Sequence, residues 1–209
     1  MNLLPVFLKL TSRHCVVIGA GVIALDKIHS LLGAEAHVQV VAPEALPEIE
    51  ELATAGKITW QRRAFDLNDV EGAFLVIAAT NTAAVNQAVY RTAVERGILC
   101  NAVDDPPHCD FYFGSVVRRG DLQIAISTAG ESPALAQRLR REIHEQLPED
   151  LGPWLANLGK LRRDVLAAYP AGEERKLLLH QLAQRSVCDL ATCPSRQLAF
   201  APARLEVAG

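Results

Sequence analysis

No apolar run in this 209-residue chain approaches the roughly 18 residues that a membrane helix needs. The opening MNLLPVFLKL is apolar but interrupted by Pro5, and it has neither a basic leading segment nor a small-residue cleavage site. It does not read as a secretory signal, and the chain is expected to be cytoplasmic. Excess positive charge is also missing. The formal net charge is −3, so no overall basic field favours nucleic acid, and Arg138, Arg140 and Arg141 read as a solvated helix face. Aromatics are only 5% of the residues, so a core must be built from aliphatic side chains. The five cysteines, Cys15, Cys100, Cys109, Cys188 and Cys193, are odd in number and scattered, as free thiols in a reducing compartment would be. Cys188 and Cys193 are close enough to be considered as metal ligands, but no second pair stands at zinc spacing. Internal repeats and low-complexity linkers are absent.

What is present is alternation. HCVVIG, AHVQVVAP, KITWQRR, GAFLVIAAT and ILCNAVD read as strands. Between them, VIALDKIHSLLGAEA, PEALPEIEELATAG and NTAAVNQAVYRTAVERG read as helices. Strands alternating with helices of this length predict a parallel sheet covered on both faces, and the unbroken apolar strands agree. The pattern changes after Pro106-Pro107. DFYFGSVVRRGDLQIAIST reads as two β-runs joined through Arg119-Gly120-Asp121, and SPALAQRLRREIHEQLP as a helix with Ser132 at its N-cap and Pro133 at its first position. Helical periodicity resumes from Gly152, and the last stretch from Cys188 has none and reads as a loose tail. The expected division is 1–113 as a dinucleotide-binding Rossmann domain, 114–150 as a hairpin-and-helix region, and 151–209 as a small helical domain with its tail.

The most informative stretch is VVIGAGVIALDK, Val16–Lys27. Gly19-x-Gly21-x-x-Ala24 follows a strand and opens a helix. Gly19 permits the tight turn, Gly21 lets a pyrophosphate approach the backbone, and Ala24 is small enough for close helix–strand packing. The free N–H groups of Val22, Ile23 and Ala24 then face the phosphates. A plain strand-to-helix turn is the alternative. Pro43 and Glu44 end the second strand region. Glu44 serves either as the carboxylate that binds the ribose hydroxyls or as a first-turn helix residue favoured by the helix dipole. No arginine follows that strand, which favours NAD over NADP. Ala79, Thr80 and Asn81 end the fourth strand at the edge where ligands bind, with Thr80 or Asn81 equally readable as a helix cap. NAVDDPPHCD follows the fifth strand and gathers Asn101, Asp104, Asp105, His108 and Asp110, candidates for acid–base work or metal binding. Asp105 and Asp110 also read as turn residues.

LPVFLKL, VVIGAGVIALDK, VVAPE, VIAATN, CNAVDDP, DFYFGSVVRRGDLQIAISTAGESPALAQRLRREIHEQLP and LGPW occur in that order. Together they resemble the siroheme-synthase N-terminal module, the precorrin-2 dehydrogenase and sirohydrochlorin ferrochelatase family, over roughly residues 1–180. CNAVDDP and ISTAGESPALA are the most specific parts. The resemblance implies a Rossmann domain, a dimerisation region and a small helical domain in a homodimer. It implies NAD as the oxidant of precorrin-2 to sirohydrochlorin, followed in many members by Fe²⁺ insertion to give siroheme. It places the essential aspartate at Asp104. It places a substrate-facing stretch at Ser127, Thr128, Gly130, Ser132 and Pro133, with Thr128 and Ala129 departing from the commonest form; Asn101 and His108, in the loop that holds Asp104, are further candidates to touch the substrate. NAD is expected with its adenosine toward Glu44 and its nicotinamide toward Asp104, and His108 is the reserve base. Asp26, where the family usually has a basic residue, departs from the pattern beside Lys27. The methyltransferase of fused homologues is not in this sequence, so a separate protein is expected to supply the substrate. Arg118, Arg119 and Arg138 are candidates to meet the substrate's carboxylates. The metal-contacting residue is not identified. Two rivals remain: a dehydrogenase that does not chelate, and a non-catalytic NAD-sensing module.

Overall fold

The computed structural model describes residues 3–184. Cys188, Cys193 and the tail lie outside them, as does the reading of those cysteines as ligands. Chain contacts divide the molecule after Phe113.

In the first unit, β1 (His14–Ile18), β2 (His37–Val41), β3 (Thr59–Gln61), β4 (Leu75–Ala78) and β5 (Leu99–Ala102) form one sheet in the order β3-β2-β1-β4-β5. Every neighbouring pair is parallel. The helices are α1 (Val22–Leu32), α2 (Pro47–Thr54) and α3 (Ala83–Glu95). The strand sequences explain the layering. Successive strand side chains point to opposite faces, so an unbroken apolar strand must be covered twice. Cys15 and Val17 pack with Ala24, Ile28 and Leu31 of α1 and Ile49 of α2. Val16 and Ile18 pack on the other face with Val89 and Ala93 of α3. Ala24, Ile28 and Leu31 recur at helical spacing and are fully or almost fully buried. Truncating Ile28 to alanine would cost about 2–5 kcal/mol, transfer and cavity terms together.

One helix begins later than its sequence suggests. α2 starts at Pro47 and not at Pro43. Proline is well suited to the first helical position, and both prolines carry that signal. The choice is made by a tertiary bond: Leu46 N–H donates to the Ala20 carbonyl at 3.1 Å and ties residues 43–46 to the glycine turn.

In the second unit, β6 (Ser115–Arg119) and β7 (Leu122–Ile126) form an antiparallel hairpin, followed by α4 (Pro133–Gln146), α5 (Leu151–Ala168) and α6 (Glu173–Leu182). Arg119 belongs to β6 and pairs with Leu122, so the connection is Gly120-Asp121 alone. Ser132 caps α4, its hydroxyl accepting from Leu135 N–H at 3.2 Å, with Pro133 next to it as expected. No helix among the described residues is long and apolar enough to cross a membrane.

Candidate functional site

The carboxyl edge of the parallel sheet opens into a cleft of about 520 Å³. It lies where β1 and β4 separate, the point at which the strand order reverses and ligands bind in this architecture. Gly19, Gly21, Pro43, Glu44, Ala79, Thr80 and Asn81 all line it. The loops that form its walls are stitched together by backbone bonds. Gly19 N–H donates to Val41 O at 2.9 Å and Ala79 N–H to Ile18 O at 2.8 Å.

The two glycines of the turn are glycine for different reasons. Gly19 has φ +107°, and a Cβ there would stand 2.3 Å from the Ala79 carbonyl oxygen. Its lack of a side chain is demanded by the fold. Gly21 has extended backbone, φ −88° and ψ −170°, and a Cβ would meet nothing within 4 Å. Nothing in the protein requires glycine there, but a molecule lying against the turn would. The start of α1 gives the same answer. No side chain caps the helix and no acidic residue occupies its first turn. The first bond back to the turn is Leu25 N–H to Gly21 O, and the N–H groups of Val22, Ile23 and Ala24 have no acceptor among the described residues. Three free donors at a helix N-terminus beside an open glycine fit a pyrophosphate. Val22 and Ile23 stand exposed on that turn, while the Ala24 side chain is fully buried against the sheet, leaving only its N–H for a ligand.

Glu44 lies ahead of α2, exposed on the cleft wall, so its reading as a first-turn helix residue is corrected. The cap reading at the fourth strand is corrected too. Thr82 is the N-cap of α3, without a side-chain bond. Thr80 is instead fixed by the buried Asn86, which accepts from Thr80 Oγ1 at 2.7 Å and donates to Thr80 O at 3.0 Å. Asn86 was not singled out from the sequence, and its one signal is a polar residue among apolar positions of α3. Ala64 and Phe65, which follow β3, also line the cleft.

The exit of β5 forms a second group, outside the cleft lining. Asp104 is exposed with φ +59°, in the left-handed region that aspartate tolerates better than most residues. Its carboxylate has no hydrogen-bond partner among the described residues. Asn101 is buried, with Nδ2 donating to Phe111 O at 2.7 Å, and holds the loop together. Asp110 accepts from Cys100 N–H at 2.9 Å. Asp105 is more than a turn residue, because its Oδ2 lies 2.7 Å from His108 Nδ1. Cys109 donates to Ala102 O at 3.0 Å. Burial pushes the Cys15 thiol up to about 11, and burial, then Asp110 and Cys109, pushes Cys100 up to about 12, so neither is a nucleophile. Among the described residues, no three His, Cys, Asp or Glu side chains are placed to hold a metal ion.

Ser127, Thr128, Gly130 and Ser132 belong to the second unit. Ser127 Oγ accepts from Ala129 N–H at 3.1 Å and Thr128 Oγ1 from Ser132 N–H at 3.2 Å. With Ser132 capping α4, each hydroxyl accepts from the backbone and keeps its own proton to donate. Arg119 is not available to a ligand. Its guanidinium donates to His144 O at 2.7 Å and Leu147 O at 3.3 Å at the end of α4, and it meets His144 Nδ1 at 2.9 Å. Arg138 pairs with Glu142 at 3.3 Å. The departure at Asp26 produces only a local pair, Lys27 Nζ to Asp26 at 2.9 Å, with Lys27 also 4.4 Å from the Phe113 ring centroid.

Residues 6–115 match the NAD(P)-binding family model, and residues 119–146 match the sirohaem biosynthesis protein central model. The chain is 38% identical over 190 residues to the siroheme synthase of Actinobacillus pleuropneumoniae serotype 7 (strain AP76), covering 88% of this chain and 39% of that protein. It is 42% identical over 176 residues to siroheme synthase 1 of Yersinia enterocolitica serotype O:8, covering 84% and 37%. The chain thus spans about two fifths of the length of these curated relatives. The solved structure of SirC, precorrin-2 dehydrogenase, superposes with a TM-score of 0.73 at 27% identity, covering 87% of this chain and 88% of that one. With an open glycine-turn cleft at the sheet edge and a model match over residues 6–115, the chain belongs to the NAD(P)-binding family.

Proposed function

We propose that this chain oxidises precorrin-2 to sirohydrochlorin with NAD and then accepts Fe²⁺ as a substrate to form siroheme. The likeness to a precorrin-2 dehydrogenase over 87% of the chain carries the substrate assignment. The open cradle at Gly21 and the unfilled donors of α1 support the cofactor.

Gly19, Gly21 and the N–H groups of Val22, Ile23 and Ala24 hold the pyrophosphate. Pro43 and Glu44 meet the adenosine ribose, and Ala79, Thr80 and Asn81 form the floor toward the nicotinamide. NAD bound there supplies a hydride acceptor. Asp104 takes the proton that leaves the substrate as the hydride is lost, since its carboxylate is exposed and uncommitted. The same carboxylate then serves in chelation by removing pyrrole protons as iron enters. Ser127, Thr128 and Ser132 donate their free hydroxyl protons to the substrate's carboxylates, with Gly130 giving the loop room. His108 stands as a second acid–base group beside Asn101, which keeps the loop in place. Residues 114–150 form a homodimer interface and 151–209 a helical domain. A reducing cytoplasm suits free cysteines at positions 15, 100 and 109.

The test is sequential. Precorrin-2 and NAD are added to the chain, then Fe²⁺, while absorbance is recorded. Reduction of NAD with formation of sirohydrochlorin, then siroheme on adding iron, is expected. Failure to reduce NAD overturns the dehydrogenase reading. Sirohydrochlorin that takes up iron no faster than without protein removes only the chelatase step.

A further inference from the structure

The absence of an arginine after β2 speaks for NAD alone only if no other strand reaches that corner. β3 does. It pairs in parallel with β2, Val41 opposite Gln61, so the residues that follow β3 run beside those that follow β2. Two arginines stand there. Arg63 is fully committed. It forms an ion pair with both carboxylate oxygens of Asp69 and donates to Ala64 O at 3.0 Å. Arg62 is exposed and has no carboxylate partner among the described residues. Its guanidinium lies over the Trp60 ring, 5.5 Å from the centroid.

That indole is itself fixed to the cleft wall. Trp60 Nε1 donates to the Ala42 carbonyl at 3.0 Å, and Ala42 lines the cleft directly ahead of Pro43 and Glu44. Trp60 and Arg62 do not line the cleft themselves, but the indole acts as a platform that holds the Arg62 cation behind the Ala42 wall, on the side of the cleft where the adenosine ribose belongs in this architecture. A guanidinium is always charged, and its planar fork matches phosphate oxygens. Glu44 on the cleft wall has the opposite preference, since a carboxylate accepts from ribose hydroxyls and repels a phosphate.

We infer that Arg62, stacked on Trp60, is a specificity-determining residue that gives this cleft affinity for the 2′-phosphate of NADP, in opposition to Glu44. NAD remains a cofactor, and Arg62 makes NADP a tolerated second one. The inference rests on the reading of the cleft as the dinucleotide site. The test is calorimetric titration of the full chain and its Arg62→Ala, Arg62→Lys and Glu44→Gln variants with NAD and with NADP. Arg62→Ala is expected to raise the NADP Kd about tenfold, equivalent to about 1.4 kcal/mol, and to leave the NAD Kd within about twofold. Arg62→Lys, which keeps the charge but loses the fork, should fall between, and Glu44→Gln should tighten NADP. Added salt should weaken NADP binding more than NAD binding. If Arg62→Ala changes both nucleotides equally, or neither, the inference is overturned while the cleft's reading stands. If the unaltered chain binds neither nucleotide, both fall.

Discussion

His108 and Asp105 form a dyad at the exit of β5, with Nδ1 and Oδ2 2.7 Å apart and the imidazole edge-on to the Tyr90 ring at 4.8 Å between centroids. With Nδ1 turned to the carboxylate, Nε2 is the nitrogen left for other work. The expected outcome of Asp105→Asn is a kcat lowered by roughly tenfold with KM for NAD unchanged, below the ~10²–10⁴-fold that a positioned acid–base group contributes. Steady-state kinetics checks it. Equal losses in kcat and in NAD affinity would reduce Asp105 to a structural turn residue.

The two glycines of the cofactor turn should separate cleanly on substitution. Gly19→Ala forces a side chain toward the Ala79 carbonyl at positive φ, so its effect is on stability, with about 1–3 kcal/mol from the backbone alone. At Gly21 a Cβ meets nothing within 4 Å, so Gly21→Val should fold normally, yet lose NAD. Thermal unfolding paired with NAD titration measures both. A Gly21→Val protein that binds NAD as before would remove the cradle.

Acid should weaken the first unit through Asp69. Burial alone would raise this carboxyl, but Arg63 and the Asp66 N–H, 2.7 Å away, hold it below the usual carboxylate range. A depressed carboxyl contributes stability that is complete above its unfolded value, about 4, and is lost as pH falls through the lower folded value. Asp69→Asn should lower Tm by a few degrees at neutral pH and flatten the acid side of a Tm-against-pH plot. An unchanged acid limb would contradict the assignment.

The hairpin of β6 and β7 has only two strands, marginal on its own in water. It packs against α4, and association of two chains through 114–150 would cover the side chains of the hairpin that stay half-buried. Sedimentation at micromolar concentration is expected to report a dimer, and a strict monomer would contradict the proposed interface.

Much of the sheet was legible because each of its signals is local: apolar strands ending in small residues, a glycine turn, a serine-proline helix start. The parts that were not legible depend on partners distant in sequence. Pro43 and Pro47 look alike until Leu46 bonds to Ala20. Thr80 reads as a cap until Asn86 takes its hydroxyl. Arg119 reads as a turn residue and a partner for the substrate's carboxylates until β6 brings it to the end of α4, at His144 and Leu147. Arg62 is invisible as a cofactor neighbour until β3 pairs with β2. The cleft candidates Gly19, Gly21, Glu44 and Thr80 were found because the carboxyl edge of a parallel sheet is fixed by topology.

In the proposed reaction Asp104 would take the proton, and one comparison tests this most directly: the rate of NAD reduction by precorrin-2 in the unaltered chain against Asp104→Ala. The carboxylate is exposed and bonds to nothing among the described residues, so its removal should spare the fold and NAD binding. The predicted result is an unchanged NAD Kd with a rate lower by about 10²–10⁴-fold. An Asp104→Ala protein that reduces NAD at the full rate would contradict the account.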